Sequence, residues 1–155
     1  ASDVYKRQKM YYICVILDLF ARKIIGYKVS KKNSTQLTKS TFKAVYEKRH
    51  PSDILFHSDQ GANYTSKSFT TYLRELNVRQ SFSNPGTPYD NSVMESFFKS
   101  LKSEKLYRTE FTSERKLREA IDSYMDFYNN KRPHHILSNQ TPDAYEERYY
   151  SNHKD

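Results

Sequence analysis

The chain has 155 residues, enough for one domain with a substantial buried core. Its 26 Lys and Arg residues outnumber its 18 Asp and Glu residues, and the formal net charge of +8 favours a polyanionic partner. One cysteine excludes an internal disulfide, three glycines leave no Gly-rich phosphate loop, and no Cys/His cluster has the spacing of zinc ligands.

The first apolar run, residues 11–17, is predicted to be a strand buried on both faces, with Cys14 as a small buried hydrophobe. Alternating apolar residues predict a partner strand at residues 23–30, across a turn at residues 18–22. The first run is too short to cross a bilayer, and no signal-peptide pattern opens the sequence. We therefore expect no membrane association and a cytoplasmic protein.

A helix is predicted from a cap at Ser34 to about Lys48. Its expected core stripe is Leu37, Thr41, Ala44 and Val45, and its expected outward residues are Lys39 and Lys43. Next come a strand ending at Phe56, a helix carrying Phe69, Tyr72, Leu73 and Leu76, and a short strand at residues 78–82. Strands separated by helices favour a mixed α/β sheet.

Three further helices are predicted after a loop at residues 83–89. The first carries Glu95 and has a cap at Asp90, Asn91 or Ser92; its apolar stripe is Met94, Phe97, Phe98 and Leu101. A long helix follows residues 112–114 and keeps its apolar period through Asn129. The last helix begins at residues 141–142.

Two carboxylates, Asp59 and Glu95, stand in contexts typical of a functional site, with 35 residues between them. Asp59 follows the strand that ends at Phe56, so it is expected at the rim of a sheet. Glu95 shares an uncovered helix face with Lys99 and Lys102. One acid and two cations on one face suit a divalent metal beside a phosphate backbone.

Several separated motifs carry a family resemblance. They are His-Ser-Asp-Gln-Gly at residues 57–61 with Asn63-Tyr64, Pro-Gly-Thr-Pro-Tyr-Asp-Asn at 85–91, Glu-Ser-Phe-Phe at 95–98 with Leu101-Lys102 and Glu104, and Tyr-Asn-Asn-Lys-Arg-Pro-His at 128–134. Their order and the spacing of the acid pair resemble the DDE-type integrase catalytic core of bacterial insertion-sequence transposases, which belongs with the retroviral integrases.

The resemblance implies an α/β fold with a ribonuclease-H-like mixed sheet flanked by helices. It also implies a bacterial enzyme that cleaves and joins DNA strands during transposition, with transposon ends and target DNA as partners and a homo-multimer acting on them. A helix-turn-helix module or a partner polypeptide is expected to supply recognition of the ends. The alternatives are a non-catalytic DNA-binding remnant of a truncated transposase and a simple metal-dependent nuclease of the same fold.

The chemistry implied by the resemblance uses three carboxylates to hold two Mg²⁺ or Mn²⁺ ions. Asp59 and Glu95 supply two of them, and Asp3 is the candidate third. Residues 1–8 resemble translated sequencing-adaptor DNA and are interpreted as a non-native segment ahead of an N-terminally truncated core at residues 9–155. Asp3 lies closer to Asp18 than the family spacing, so it reaches the site only if the first hairpin is shorter; Asp18 is interpreted as a turn residue.

Further residues are predicted to contact or border DNA. Lys99 and Lys102 are expected to contact phosphates, with an ordinary solvated helix face as the alternative. The other candidates are Asn63, Tyr64, Asn91 and Arg132. Arg132 and His134 match a family motif whose role is either structural or DNA-contacting. His57 is expected either near the metals or as a hydrogen-bonded structural histidine.

Overall fold

The computed structural model describes the backbone of residues 2–6 and both backbone and side chains of residues 9–87 and 91–154. The strands are β1 (Ser2–Lys6), β2 (Lys9–Asp18), β3 (Lys23–Ser30), β4 (Leu55–Ser58) and β5 (Arg79–Phe82). The helices are α1 (Thr35–Arg49), α2 (Ala62–Thr65), α3 (Lys67–Glu75), α4 (Ser92–Glu104), α5 (Glu114–Asn130) and α6 (Pro142–Asn152). Short 3₁₀ helices lie at Leu106–Arg108 and His135–Leu137.

The described strands combine antiparallel and parallel pairing. β1, β2 and β3 form an antiparallel meander in which Asp3 lies opposite Tyr12 and Asp18 opposite Lys23. β4 and β5 pair in parallel, and α2 and α3 connect them. Parallel strands require such a crossover, and the predicted arrangement of strands separated by helices is therefore present. Within the described ranges, no helix is long and apolar enough to span a membrane.

β2 separates two hydrophobic clusters, because successive side chains of a strand point to opposite faces. Tyr11, Ile13 and Val15 join the cluster that contains Phe97, Leu101, Leu117 and Ile121 of α4 and α5. Ile16 packs against the other cluster, which contains Phe42, Phe69, Leu73 and Val78. Cys14 is buried, and burial raises the pKa of its thiol, as expected of a packing residue and not of a reactive one.

Helix α1 begins at the predicted cap, where the Leu37 backbone N–H donates to Ser34 Oγ at 3.2 Å. Its predicted core stripe is partly wrong, since Ala44 is exposed. The buried residues are Leu37, Thr38, Thr41, Phe42 and Val45. Phe42 packs edge-on against Phe56 and Phe69, so the buried face turns toward Phe42 and away from Ala44. Neither Lys39 nor Lys43 is among the buried residues, and Lys39 Nζ lies 4.9 Å from the Tyr72 ring centroid.

Glycine at position 26 allows α1 to lie directly on β3. A Cβ atom on Gly26 would collide with Cγ2 of the buried Val45. Val45 is β-branched and has little rotamer freedom in a helix, so the space is available only when residue 26 lacks a side chain. This close packing holds α1 along one wall of the cleft described below.

Ion pairs hold α6 against strand β3 and the end of α1. Lys23 Nζ lies 2.8 Å from Asp143 Oδ1 and 3.1 Å from Glu146 Oε1, and Arg49 Nη2 lies 2.9 Å from Glu146 Oε2. Burial raises the pKa of Glu146, but the hydrogen bonds from Arg49 and Lys23 outweigh it and the net pKa is lowered. The predicted start of α6 is confirmed, with the Ala144 backbone N–H donating to Thr141 Oγ1.

Candidate functional site

A cleft of about 1160 Å³ lies between the end of β2, β4, α1 and the first turns of α4. Asp59 and Glu95 both line it, together with Asn91, Lys99 and Lys102. The structure thus brings two predicted carboxylates and two predicted cations to one cavity, although 35 residues separate the two acids.

The Asp59 side chain is exposed and is oriented by the loop that follows β4. The Gly61 backbone N–H donates to Asp59 Oδ1 at 2.8 Å, and Ser58 Oγ donates to the Asp59 carbonyl at 2.8 Å. No described residue forms an ion pair with Asp59. One carboxylate oxygen is therefore held by the backbone, and among the described residues no cation neutralises the charge.

Glu95 lies in the first turn of α4 and is exposed. A carboxylate there interacts favourably with the positive end of the helix dipole. Among the described side chains, none forms an ion pair with Glu95, Lys99 or Lys102. The predicted side-chain cap of α4 is not made by Asn91, which occupies the N-cap position without a capping hydrogen bond. Ser92 lies inside the helix, and Asp90 lies outside the described residues.

The described side chains alone do not complete a metal site. No group of three His, Cys, Asp or Glu side chains within residues 9–87 and 91–154 is arranged to hold a metal ion. The Asp3 backbone lies in β1 opposite Tyr12, and Lys6 pairs with Lys9, so the connection between β1 and β2 is short. The Asp3 side chain lies outside the described residues, and its role as a third ligand stays a prediction.

His57 links the two parallel strands. Its Nδ1 lies 2.7 Å from Ser81 Oγ and its Nε2 lies 3.0 Å from Ser83 Oγ. Both ring nitrogens thus have hydroxyl partners on or just after β5. His57 also lines the cleft, but these contacts favour the structural alternative over a role beside a metal.

Asn63 and Tyr64 make contacts within the fold. Asn63 Nδ2 donates to Asn33 Oδ1 at 2.6 Å, which ties α2 to the connection between β3 and α1. The Tyr64 ring lies 6.1 Å from the rings of Phe56 and Phe69. Burial raises the pKa of the Tyr64 hydroxyl, and the neighbouring Cys14 and Asp59 raise it further. Tyr64 also lines the cleft, so its packing supports the wall beside Asp59.

Arg132 lies against Glu104 instead of in the cleft. Its Nε is 2.9 Å from Glu104 Oε1 and 3.1 Å from Glu104 Oε2. His134 is buried, and its Nε2 lies 3.2 Å from the Tyr128 carbonyl. For both residues these contacts favour the structural alternative.

Asp18 caps its own turn, as predicted, because its Oδ1 accepts a hydrogen bond from the Phe20 backbone N–H at 2.9 Å. Two arginines near this turn also line the cleft and were not predicted from the sequence. Arg49 is ion-paired with Glu146, whereas no described residue forms an ion pair with Arg22. Arg22 has a left-handed backbone (φ 56°), a conformation that the turn imposes. Its place as the last residue of the turn between β2 and β3 was the available signal.

Family models and relatives match most of the chain. Residues 3–88 match a model described as integrase core domain, and residues 76–142 match a second model of the same description. The transposase for insertion sequence element IS904 of Lactococcus lactis is 36% identical over 137 residues, covering 87% of this chain and 54% of the relative. The putative transposase InsK for IS150 of Escherichia coli is 32% identical over 140 residues, covering 90% and 50%. The chain thus spans about half the length of these relatives.

Solved structures share the fold at low sequence identity. The catalytic core domain of BIV integrase aligns with a TM-score of 0.69 and 15% identity, covering 99% of this chain and 95% of that chain. The HTLV-2 integrase catalytic core domain in complex with magnesium, in its trimeric form, aligns with a TM-score of 0.70 and 16% identity, covering 92% and 89%. The fold predicted from the sequence is confirmed.

Proposed function

The chain belongs to the integrase core domain family, and we propose that it is the catalytic core of a bacterial insertion-sequence transposase that cleaves DNA strands and joins a DNA 3′-hydroxyl to a second strand. The observation that carries the proposal is that Asp59 and Glu95 line one cleft together with Lys99 and Lys102. Neither acid forms an ion pair with a described residue.

Asp59 and Glu95 are suitable ligands for a hard divalent cation, since the carboxylate oxygens of both form no ion pair with a described residue. We propose that they hold Mg²⁺ or Mn²⁺, two ions in all, with Asp3 as the third ligand. When bound, such ions supply Lewis-acid stabilisation of the charge that develops at phosphorus. The chain itself positions the two acids. The Gly61 backbone N–H holds the Asp59 carboxylate, and helix α4 carries Glu95.

The proposed reaction is an in-line displacement at phosphorus. A DNA 3′-hydroxyl loses its proton and forms a new P–O bond, while the bond between phosphorus and the displaced 3′-oxygen breaks and that oxygen leaves as a hydroxyl. With water in place of the 3′-hydroxyl the same displacement cleaves a strand. No oxidant or reductant is needed, so the chain must supply positioning and electrostatic stabilisation.

Arg22, Lys99 and Lys102, which form no ion pair with a described residue, line the cleft that holds the acids. We propose that they contact phosphates of transposon-end and target DNA, with Asn91 at the start of α4 bordering the same strand. Recognition of the end sequence and assembly into a homo-multimer are proposed for the whole protein. A helix-turn-helix module or a partner polypeptide supplies that recognition in this proposal.

The test of the function is a joining assay with the chain as it exists. A labelled duplex with a free 3′-hydroxyl is mixed with supercoiled plasmid in Mg²⁺ or Mn²⁺, and covalent joining and nicking are measured. Joining is the expected result. DNA binding without nicking or joining would instead identify a non-catalytic remnant, and nicking without joining a simple nuclease.

Asp3→Asn tests the third ligand in the same assay. If Asp3 holds a metal ion, the variant loses joining and nicking, because an amide replaces an anionic ligand with little change in volume. Full activity in Asp3→Asn would remove Asp3 from the site. Robust wild-type activity that is lost specifically in Asp3→Asn would contradict the interpretation of residues 1–8 as a non-native segment.

Gly61→Ala is expected to lower joining about 10- to 100-fold, because a catalytic group displaced by about 1 Å loses activity on that scale. A Cβ atom at Gly61 would lie 2.8 Å from Asp59 Oδ1, so the carboxylate must move. The backbone of Gly61 (φ −57°) suits alanine, and thermal unfolding should therefore show unchanged or slightly higher stability. Ala62→Ser, which adds one atom at the exposed neighbouring position, is the control and should keep full activity.

A further inference from the structure

Glu104, Tyr124 and Arg132 form a polar cluster where α4 and α5 meet. Arg132 Nε donates to both oxygens of Glu104, at 2.9 and 3.1 Å, and the Tyr124 hydroxyl donates to Glu104 Oε2 at 2.5 Å. Glu104 is the last residue of α4, and Arg132 lies two residues beyond the end of α5. The cluster therefore joins the C-terminal ends of two consecutive helices.

The cluster is partly shielded from water. The side chains of Glu104 and Arg132 are 35% and 27% exposed, and Tyr124 is buried. Burial raises the pKa of the Tyr124 hydroxyl and its bond to Glu104 raises it further, so the hydroxyl remains a donor at all ordinary pH values. Charge-assisted hydrogen bonds in such surroundings are stronger than exposed ion pairs.

Arg132 has further partners within the fold. Its backbone N–H donates to the Phe127 carbonyl at 2.8 Å, and its guanidinium lies 5.7 Å from the Tyr128 ring centroid. The Tyr128 ring in turn lies 5.0 Å from the ring of Phe97 on α4. Neither Arg132 nor Glu104 is among the described residues that line the cleft. The contacts of the guanidinium thus hold α4 against α5.

Helix α4 carries Glu95, Lys99 and Lys102 into the cleft, and apolar contacts of Phe97 and Leu101 hold it against the core. Apolar contacts are non-directional, so by themselves they tolerate small rotations of the helix. We propose that the Glu104–Tyr124–Arg132 cluster is a clamp that fixes the rotation of α4 and thereby positions Glu95. Arg132 is then a positioning residue and not a DNA contact, an inference that rests on the proposed function.

The test compares Arg132→Met, which removes the charge but keeps most of the length, with Arg132→Lys and Glu104→Gln. For Arg132→Met we expect kcat for joining to fall about 10- to 100-fold with little change in KM, because Glu95 is misplaced. Arg132→Lys should recover part of this loss, since it restores the charge but not the contact to both oxygens. The Arg132→Met/Glu104→Gln double variant should lose little more than Arg132→Met alone.

Two readouts do not depend on catalysis. The dependence of DNA affinity on salt should be the same in Arg132→Met as in the wild type. The amides of α4 from Glu95 onward should exchange hydrogen faster in Arg132→Met than in the wild type, while those of α3 should not change. Leu73→Ala, which removes a buried side chain on α3, is the control for general destabilisation and should leave kcat unchanged at temperatures where it is folded. A salt dependence reduced by about one log-log unit in Arg132→Met would make Arg132 a DNA contact and overturn the proposal.

Unchanged joining and unchanged α4 exchange would also overturn it. If the wild-type chain neither nicks nor joins DNA, the proposed function fails, and the hydrogen-exchange comparison still decides whether the clamp orders α4.

Discussion

We expect Asp59→Asn and Glu95→Gln each to abolish the proposed DNA cleavage and joining while the fold stays intact. Each substitution replaces an anionic metal ligand by a neutral amide of nearly the same volume. A metal ion contributes several kcal/mol of transition-state stabilisation, so the loss should reach about 10³-fold or more. Both side chains are exposed, and neither forms an ion pair with a described residue, so unfolding temperatures should change little.

The measurement is the joining assay, combined with titration of Mn²⁺ monitored by thermal unfolding. Wild-type protein should be stabilised by Mn²⁺, and both variants should lose most of that stabilisation. Asp53→Asn is the control, because Asp53 lines the same cleft, is exposed, and has a left-handed backbone that asparagine tolerates. Its ion pair with Arg79 is exposed to solvent, so losing it should have little effect on stability. Near wild-type joining in either Asp59→Asn or Glu95→Gln would remove that residue from the site.

Local signals in the sequence predicted most helix and strand boundaries. Ser34, Ser113 and Thr141 each accept a hydrogen bond from the first turn of the helix they precede. Capping and apolar periodicity act within a few residues, so they can be read without knowledge of the fold. The strand β3 has the predicted bounds for the same reason.

The errors concern contacts between distant residues. Ala44 was assigned to the core of α1, but Phe42 takes that role because Phe56 and Phe69 lie beneath it. Helix α2 was not predicted; it has four residues and no buried side chain, so it carries no apolar period. The face that a helix buries depends on what the rest of the chain brings to it.

The same distinction holds at the site. Asp59 and Glu95 could be proposed as site residues from the sequence, because each lies in a short motif with a recognisable local context. The partners of His57 and Arg132 lie 24 to 28 residues away, in Ser81, Ser83 and Glu104. No local sequence pattern indicates such pairs, so the choice between a structural and a functional role required the three-dimensional structure.

Lys99→Ala combined with Lys102→Ala is expected to weaken DNA binding to a similar extent for unrelated sequences. Both lysines line the cleft without an ion pair to a described residue, and phosphate contacts carry little sequence information. Each lost contact should lower the log-log slope of DNA affinity against salt concentration by about 0.9, so the double variant should lose up to about 1.8.

The readout is affinity for two unrelated duplexes at several salt concentrations. The matched control is Lys116→Ala with Lys131→Ala, which removes the same charge from exposed positions on and after α5. An equal change of slope in both double variants would mean that net charge, and not the cleft, governs binding.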